Sequence, residues 1–114
     1  MVVEVDTAAL ALAHAHGLRV VDVREPAEFG AGHVPGAENI PLAAVPTRLS
    51  EFPRDERVFV VCASGGRSYQ AAEFLVQAGV DAVSVSGGTT AWMRAGHPVV
   101  VEPSDDGTAG GAPR

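Results

Sequence analysis

Several residue types that support whole classes of protein are absent or rare in this chain of 114 residues. It has no lysine and a single cysteine, Cys62, which excludes an intramolecular disulfide and a metal site built on a cysteine cluster. No uninterrupted apolar run approaches the ~20 residues that a membrane-spanning helix requires. The segment Met1–Asp6 has neither the basic region nor the apolar core of a signal peptide. Because a lone reduced thiol fits a cytosolic setting, we expect a cytoplasmic protein.

Positive charge is scarce as well. Eight basic residues, all arginine, stand against 14 acidic ones, which gives a formal net charge of -6 and a pI of about 5.0. An acidic surface argues against nucleic acids and anionic membranes as partners. The length fits one domain with an ordinary core. We assign this domain to residues 1–102 and predict a disordered tail over residues 103–114, which has too few apolar side chains to bury.

Strand and helix patterns alternate along the domain. Short apolar, mostly β-branched runs predict strands over residues 2–5, 18–23, 38–40, 58–61, 82–85 and 99–101. Helical spacing predicts helices over residues 7–16, 26–29, 42–52, 67–78 and 89–95. Pro46 should shorten or break the third of these helices. This order of elements predicts an α/β fold, with an open parallel sheet covered by helices on both faces.

Large apolar side chains supply the expected core. We predict that all four phenylalanines and the single tryptophan are packed inside the domain: Phe29, Phe52, Phe59, Phe74 and Trp92. In open parallel sheets, ligands bind at the carboxyl ends of the strands. The only cysteine follows the strand predicted over residues 58–61, so it lies at that edge.

The loop after this strand has the composition of an anion-binding turn. Cys62 is followed by Ala63, Ser64, Gly65, Gly66, Arg67 and Ser68, and a helical pattern begins at the arginine. The thiolate is the nucleophilic form of cysteine, and backbone N–H groups at a helix N-terminus favour that anion. The two glycines allow the amides to turn inward, while the small residues before them leave room for a substrate. The arginine adds a positive charge and the serine a hydrogen-bond donor. The alternative is an inert, buried cysteine, which would not need such a loop.

Taken with three other segments, this loop resembles the single-domain rhodanese family. The matching segments are Val21–Phe29, Gly32–Pro41, Cys62–Ser68 and the pair Gly87-Gly88 before Trp92. They follow the order and spacing of that family and span residues 3–101.

The resemblance implies an α/β/α domain with a five-stranded parallel sheet in the order 3-2-4-5-1. It also implies sulfur transfer, in which Cys62 takes a sulfane sulfur from a donor such as thiosulfate and forms a persulfide. A thiol, a protein or cyanide then accepts the sulfur. The backbone amides of residues 63 to 67 would stabilise the thiolate and then the persulfide. No cofactor and no metal are implied.

Other activities and donors stay open at this point. The same fold also hosts tyrosine phosphatases and arsenate reductases, whose loops place five residues between cysteine and arginine. Only four residues lie between Cys62 and Arg67 here, which favours a single sulfur atom over a tetrahedral anion. Ala63 and Ser64 do not decide between thiosulfate and a protein or low-molecular-weight persulfide as donor. A sulfur-relay module that docks a partner and turns over small molecules poorly is the second hypothesis.

Three further residues lie near the predicted functional edge. We interpret Asp22 and Arg24 as an ion-paired scaffold around the Cys62 pocket, with direct substrate binding by Arg24 as the alternative. His33 is interpreted as a loop brace, with substrate contact as the alternative, and Glu28 as a surface or scaffold partner. His14 and His16 point to different sides of a helix, which argues against a metal site. His97 is expected to be solvated.

Overall fold

A computed structural model describes residues 1–102, and the predicted tail lies outside the described residues. The strands are β1 (Val3–Val5), β2 (Arg19–Asp22), β3 (Glu38–Asn39), β4 (Val58–Val61) and β5 (Ala82–Val85). The helices are α1 (Thr7–Ala15), α2 (Pro26–Ala31), α3 (Gly66–Gln77) and α4 (Gly88–Arg94). Two 3₁₀ turns, Leu42–Ala44 and Pro46–Glu51, replace the helix predicted over residues 42–52, with the break at the expected proline. Gly30 and Ala31 belong to α2 and not, as predicted, to the loop that follows it.

The five strands form one parallel sheet in the order β1-β5-β4-β2-β3. This confirms the predicted fold class and strand order. The central strand, β4, is buried along its whole length, and its side chains alternate between two core clusters. Val58 and Val60 face the cluster formed with α3, whereas Phe59 and Val61 face the cluster formed with α1 and α4. The sheet is therefore the middle layer of three.

Two predictions are wrong, one about a strand and one about a core side chain. Residues 99–101 form no strand, since only an isolated antiparallel bridge joins Val100 to His33. Phe74 is 38% exposed, because the buried stripe of α3 runs through Ala71, Ala72 and Leu75 and leaves Phe74 on its flank. The helical spacing of apolar residues identified α3 but did not identify every side chain of its buried face.

The remaining predictions about aromatic and imidazole side chains are confirmed only in part. Phe52, Phe59 and Trp92 are buried as expected. Phe29 is only half-buried and stacks on the ring of His33 at a centroid distance of 3.6 Å. The prediction of a solvated His97 is also wrong.

The rings of three other histidines each contact a neighbouring side chain or carbonyl group. His97 is half-buried because its ring stacks on Trp92, with centroids 4.3 Å apart. The ring of His14 bonds the carbonyl oxygen of Pro35 at 2.8 Å, while that of His16 bonds the carbonyl oxygen of Leu12 at 2.9 Å. No helix of the described residues is both long and apolar enough to cross a membrane.

Candidate active site

Cys62 lies where the central strand ends and α3 begins. Its side chain is almost fully buried, and the following residues turn sharply before α3 starts at Gly66. The turn depends on Gly65, whose φ of 124° lies in a region that side chains with a Cβ atom rarely adopt. The sulfur is thereby placed beside the N-terminus of a 12-residue helix. Such a position favours an anion.

The N-terminal turn of α4 holds the backbone of this loop. The N–H of Thr89 donates to the carbonyl oxygen of Cys62 at 2.9 Å, and the N–H of Thr90 donates to that of Ala63 at 3.1 Å. Gly87 donates in the same way to Ser64 at 3.1 Å. Three consecutive loop carbonyls are thus directed towards α4. The amides of the loop are correspondingly free to face the sulfur.

Close packing explains the glycine pair that precedes α4. A Cβ atom at Gly88 would lie 2.4 Å from the carbonyl oxygen of Cys62 and 2.7 Å from that of Ala63. Both distances are far below van der Waals contact. The resemblance identified Gly87 and Gly88, and the structure gives the physical reason for the second: it brings α4 against the cysteine loop.

Hydrogen bonds around the sulfur favour its ionised form. The N–H of Gly65 donates to the Cys62 sulfur at 3.1 Å, and the Ser68 hydroxyl lies 3.5 Å from it. Burial raises the pKa of the Cys62 thiol, but the Ser68 hydroxyl and the backbone N–H groups of Ser68, Gly65 and Ser64 outweigh it. The pKa therefore lies below the ordinary value for cysteine. A lowered pKa is the property that distinguishes reactive from inert cysteines.

A second hydroxyl supports Ser68. The Oγ atoms of Ser68 and Ser84 are 2.8 Å apart, and Ser84 is fully buried on β5. Ser84 is not among the site residues predicted from the sequence. A signal was present, because a serine inside an otherwise apolar buried strand needs a hydrogen-bond partner in the core.

The arginine of the loop is paired with α2. The two terminal nitrogens of Arg67 donate to the two carboxylate oxygens of Glu28, at 2.7 Å and 3.0 Å. The hydrogen bonds from the Arg67 side chain and from the N–H of Glu25 lower the pKa of the Glu28 carboxyl to about 2. Glu28 in turn raises the pKa of Arg67. The prediction named Glu28 as a surface or scaffold partner without identifying what it binds.

Asp22 and Arg24 lie at the end of β2, His33 follows α2, and all three make hydrogen bonds with nearby protein groups. Arg24 donates to both carboxylate oxygens of Asp22, at 2.8 to 3.1 Å, and to the carbonyl oxygen of Gly32 at 2.8 Å. The ring of His33 bonds the carbonyl oxygen of Phe29 at 2.8 Å. These contacts fit the scaffold interpretation, because Nε and Nη2 of the Arg24 guanidinium already donate to protein groups.

Comparison with known proteins agrees with this architecture. The sequence model of the rhodanese-like domain family matches residues 6–95 of this chain. A sulfurtransferase from Allochromatium vinosum is 43% identical over 103 residues, which are 88% of this chain and 96% of that protein. The thiosulfate sulfurtransferase GlpE from Pseudoalteromonas translucida is 38% identical over 77 residues, 67% of this chain and 73% of that protein.

Solved structures match over a similar length. A rhodanese-related protein from Thermoplasma volcanium superposes with a TM-score of 0.82 at 37% identity, covering 88% of this chain and 99% of that one. A rhodanese-like domain protein from Staphylococcus aureus superposes with a TM-score of 0.75 at 36% identity, covering 79% and 90%.

Proposed function

The chain belongs to the rhodanese-like domain family, and we propose that it is a sulfurtransferase whose nucleophile is Cys62. The observation that carries this proposal is the hydrogen bonding of the Cys62 sulfur by the Gly65 N–H at the start of α3. A buried thiol with no chemical role gains nothing from such donors. A nucleophile gains a larger ionised fraction at neutral pH. We propose a cytoplasmic setting, since a lone thiol must stay reduced to act.

The reaction would proceed in two displacement steps. The Cys62 thiolate attacks the outer sulfur of thiosulfate, the sulfur–sulfur bond of the donor breaks, and sulfite leaves with its electron pair. Cys62 then carries a persulfide anion. Cyanide or a thiolate attacks the terminal sulfur, and the Cys62 thiolate is released with the electron pair of the broken bond. The acceptor leaves as thiocyanate or as a new persulfide, so atoms and charges balance without an external oxidant.

The loop would stabilise each anion in turn. The N–H groups of residues 63 to 67 can serve the thiolate first and the terminal sulfur of the persulfide afterwards. Because α4 directs the carbonyls of Cys62, Ala63 and Ser64 away, the loop needs little rearrangement between the two states. Preorganised donors of this kind act most effectively in a buried site.

The size of the loop supports sulfur over phosphate as the transferred group. Four residues separate Cys62 from Arg67. The terminal nitrogens of Arg67 are bonded to Glu28, so a tetrahedral oxyanion would have to displace a carboxylate to reach them. This arrangement argues against phosphatase and arsenate reductase activity.

Intact-protein mass spectrometry after incubation with thiosulfate, or with an organic persulfide, tests the proposal. We expect a mass increase of one sulfur atom at Cys62, which cyanide reverses with formation of thiocyanate. Treatment with sulfate, which has no sulfane sulfur, is the matched control and should add nothing. Retention of the labile sulfur by a Cys62→Ser variant, or hydrolysis of an aryl phosphate without any sulfur uptake, would contradict the proposal. Rapid labelling with negligible turnover would favour the sulfur-relay alternative.

A further inference from the structure

We propose that Glu28 determines donor specificity: its carboxylate occupies the terminal nitrogens of Arg67 and thereby disfavours dianionic donors such as thiosulfate relative to organic persulfides. This inference rests on the proposed function, because it concerns the donor of the same sulfur-transfer site. It assigns a role to a residue of α2, outside the cysteine loop.

The geometry of the ion pair places a carboxylate where an anionic donor would bind. Each terminal nitrogen of Arg67 bonds one oxygen of Glu28, the two-pronged geometry with which arginine binds carboxylates and related oxyanions. Glu28 is also oriented from behind, since its Oε1 accepts the N–H of Glu25 at 3.0 Å in a capping box at the start of α2. The carboxylate is therefore held by its own helix as well as by the arginine.

The charges of the neighbouring groups increase the effect. Thiosulfate brings two negative charges to a site that already contains the Cys62 thiolate, whereas an ionised organic persulfide brings one. Ala63 and Ser64 add no positive charge, and the guanidinium of Arg24 is bonded to Asp22. With Glu28 in place, Arg67 offers little net charge to compensate a dianion. The penalty falls most heavily on the donor with the higher charge.

The penalty should be graded and not absolute. The side chains of Arg67 and Glu28 are 37% and 39% exposed, and ion pairs open to solvent are weak. A dianion at sufficient concentration can therefore displace the carboxylate. We expect Glu28 to change relative rates by several-fold, without abolishing thiosulfate as a donor.

The test compares two donors on the intact chain and its Glu28→Gln variant. Glutamine retains the shape of the side chain and can still take part in the capping box, but it lacks the negative charge. The observable is the single-turnover rate of sulfur addition to Cys62 from thiosulfate, divided by the rate from the persulfide of 2-mercaptoethanol, which carries no charge besides that of its terminal sulfur. We expect this ratio to rise about two- to fivefold in the variant, because an exposed ion pair contributes up to about 1 kcal/mol and tenfold would require about 1.4 kcal/mol.

A matched control exists in the same chain. Glu51 and Arg48 form a similar bidentate pair, with both bonds 2.8 Å long, in the second 3₁₀ turn. Glu51→Gln removes an equal charge and should leave the ratio unchanged. Using a ratio within each variant also cancels any effect on the nucleophilicity of Cys62.

Sulfate supplies a second readout that does not depend on sulfur transfer. As an unreactive dianion, it should slow alkylation of Cys62 by iodoacetamide at a concentration several-fold lower in Glu28→Gln than in the unchanged chain. An unchanged donor ratio would overturn the role of Glu28. A lower ratio, or weaker protection by sulfate, would also overturn it and would indicate instead that Glu28 orients Arg67 for the anion. Failure of both donors to label the unchanged chain would contradict the proposed function, while sulfate protection would still test Glu28.

Discussion

The Cys62 sulfur has two serine hydroxyls behind it, one in direct contact and one a step further away. Ser68 has a single hydroxyl proton and three neighbours: the sulfur at 3.5 Å, the carbonyl oxygen of Gly65 at 3.1 Å and the Ser84 hydroxyl at 2.8 Å. If Ser84 donates to Ser68, the proton of Ser68 is left for the thiolate and the carbonyl oxygen of Gly65, which can both only accept. The buried hydroxyl of β5 thus orients the group that stabilises the anion.

Replacing either serine by alanine should raise the pKa of Cys62. The ionised fraction of a thiol increases as the pH rises through its pKa, so loss of a donor moves the onset of alkylation to higher pH. Hydrogen bonds to charged groups contribute roughly 1.5–3 kcal/mol, so we expect a shift of about one to two pH units in Ser68→Ala. Ser84→Ala should shift the midpoint in the same direction by less. The measurement is the rate of iodoacetamide alkylation as a function of pH.

Ser50→Ala is the control, because Ser50 is exposed in the second 3₁₀ turn. It should leave the midpoint unchanged. A Ser68→Ala variant with the midpoint of the unchanged chain would show that backbone amides alone lower the pKa of Cys62. A downward shift in Ser84→Ala would contradict the donation from Ser84 to Ser68.

Between elements, the contact of α4 with the cysteine loop controls the orientation of the loop. The N–H groups of Gly87, Thr89 and Thr90 would be unpaired at the start of an isolated helix, and here they bind the loop carbonyls. The helix end and the loop therefore satisfy each other. The close approach requires that Gly88, at a φ of 53°, has no side chain.

Gly88→Ala should therefore disturb both the loop and the fold. Its Cβ atom would lie 2.4 Å from the carbonyl oxygen of Cys62, so α4 or the loop must move. We expect the free energy of unfolding to fall by about 2 kcal/mol or more, and alkylation of Cys62 at neutral pH to slow. Urea denaturation and alkylation kinetics measure the two effects.

The matched control is Gly30→Ala in α2, where an added Cβ atom meets nothing within 4 Å. Because alanine favours the helix interior, this variant should be as stable as the unchanged chain or more stable by roughly 0.5–1 kcal/mol. Equal stability of the two variants would contradict the close packing of α4 on the loop.

What the sequence could predict also differs between elements and contacts. The strands at residues 58–61 and 82–85 were predicted with their observed bounds, because a β-branched run buried on both faces is a local property. The pairing of Glu28 with Arg67 was not predicted, since the two residues are 39 positions apart and meet only when α2 and α3 are placed around the sheet. The loop residues were named from the sequence, but the carbonyl bonds from α4 that orient them were not.

At the scale of the whole molecule, the last described residues bind two helices on the outside of the sheet. The indole N–H of Trp92 donates to the carbonyl oxygen of Pro98 at 2.7 Å, and Val100 exchanges two backbone hydrogen bonds with His33. The N–H of Glu102 donates to the carbonyl oxygen of Gly30 at 2.9 Å. Segment 98–102 thus joins α4 to α2, although it does not belong to the sheet. These contacts show that residues 98–102 pack against the rest of the domain, while the boundary at residue 102 stays a prediction.

Two truncated chains test this boundary. A chain of residues 1–102 keeps every contact that the structure describes for segment 98–102, so it should unfold at the same urea concentration as the full chain and alkylate at Cys62 at the same rate. A chain of residues 1–97 leaves the buried indole N–H of Trp92 without its acceptor, which costs about 1–3 kcal/mol, and it also loses the bridge to His33. It should therefore be distinctly less stable. If the 1–102 chain were as destabilised as the 1–97 chain, residues 103–114 would have to belong to the folded domain, and the predicted boundary would be wrong.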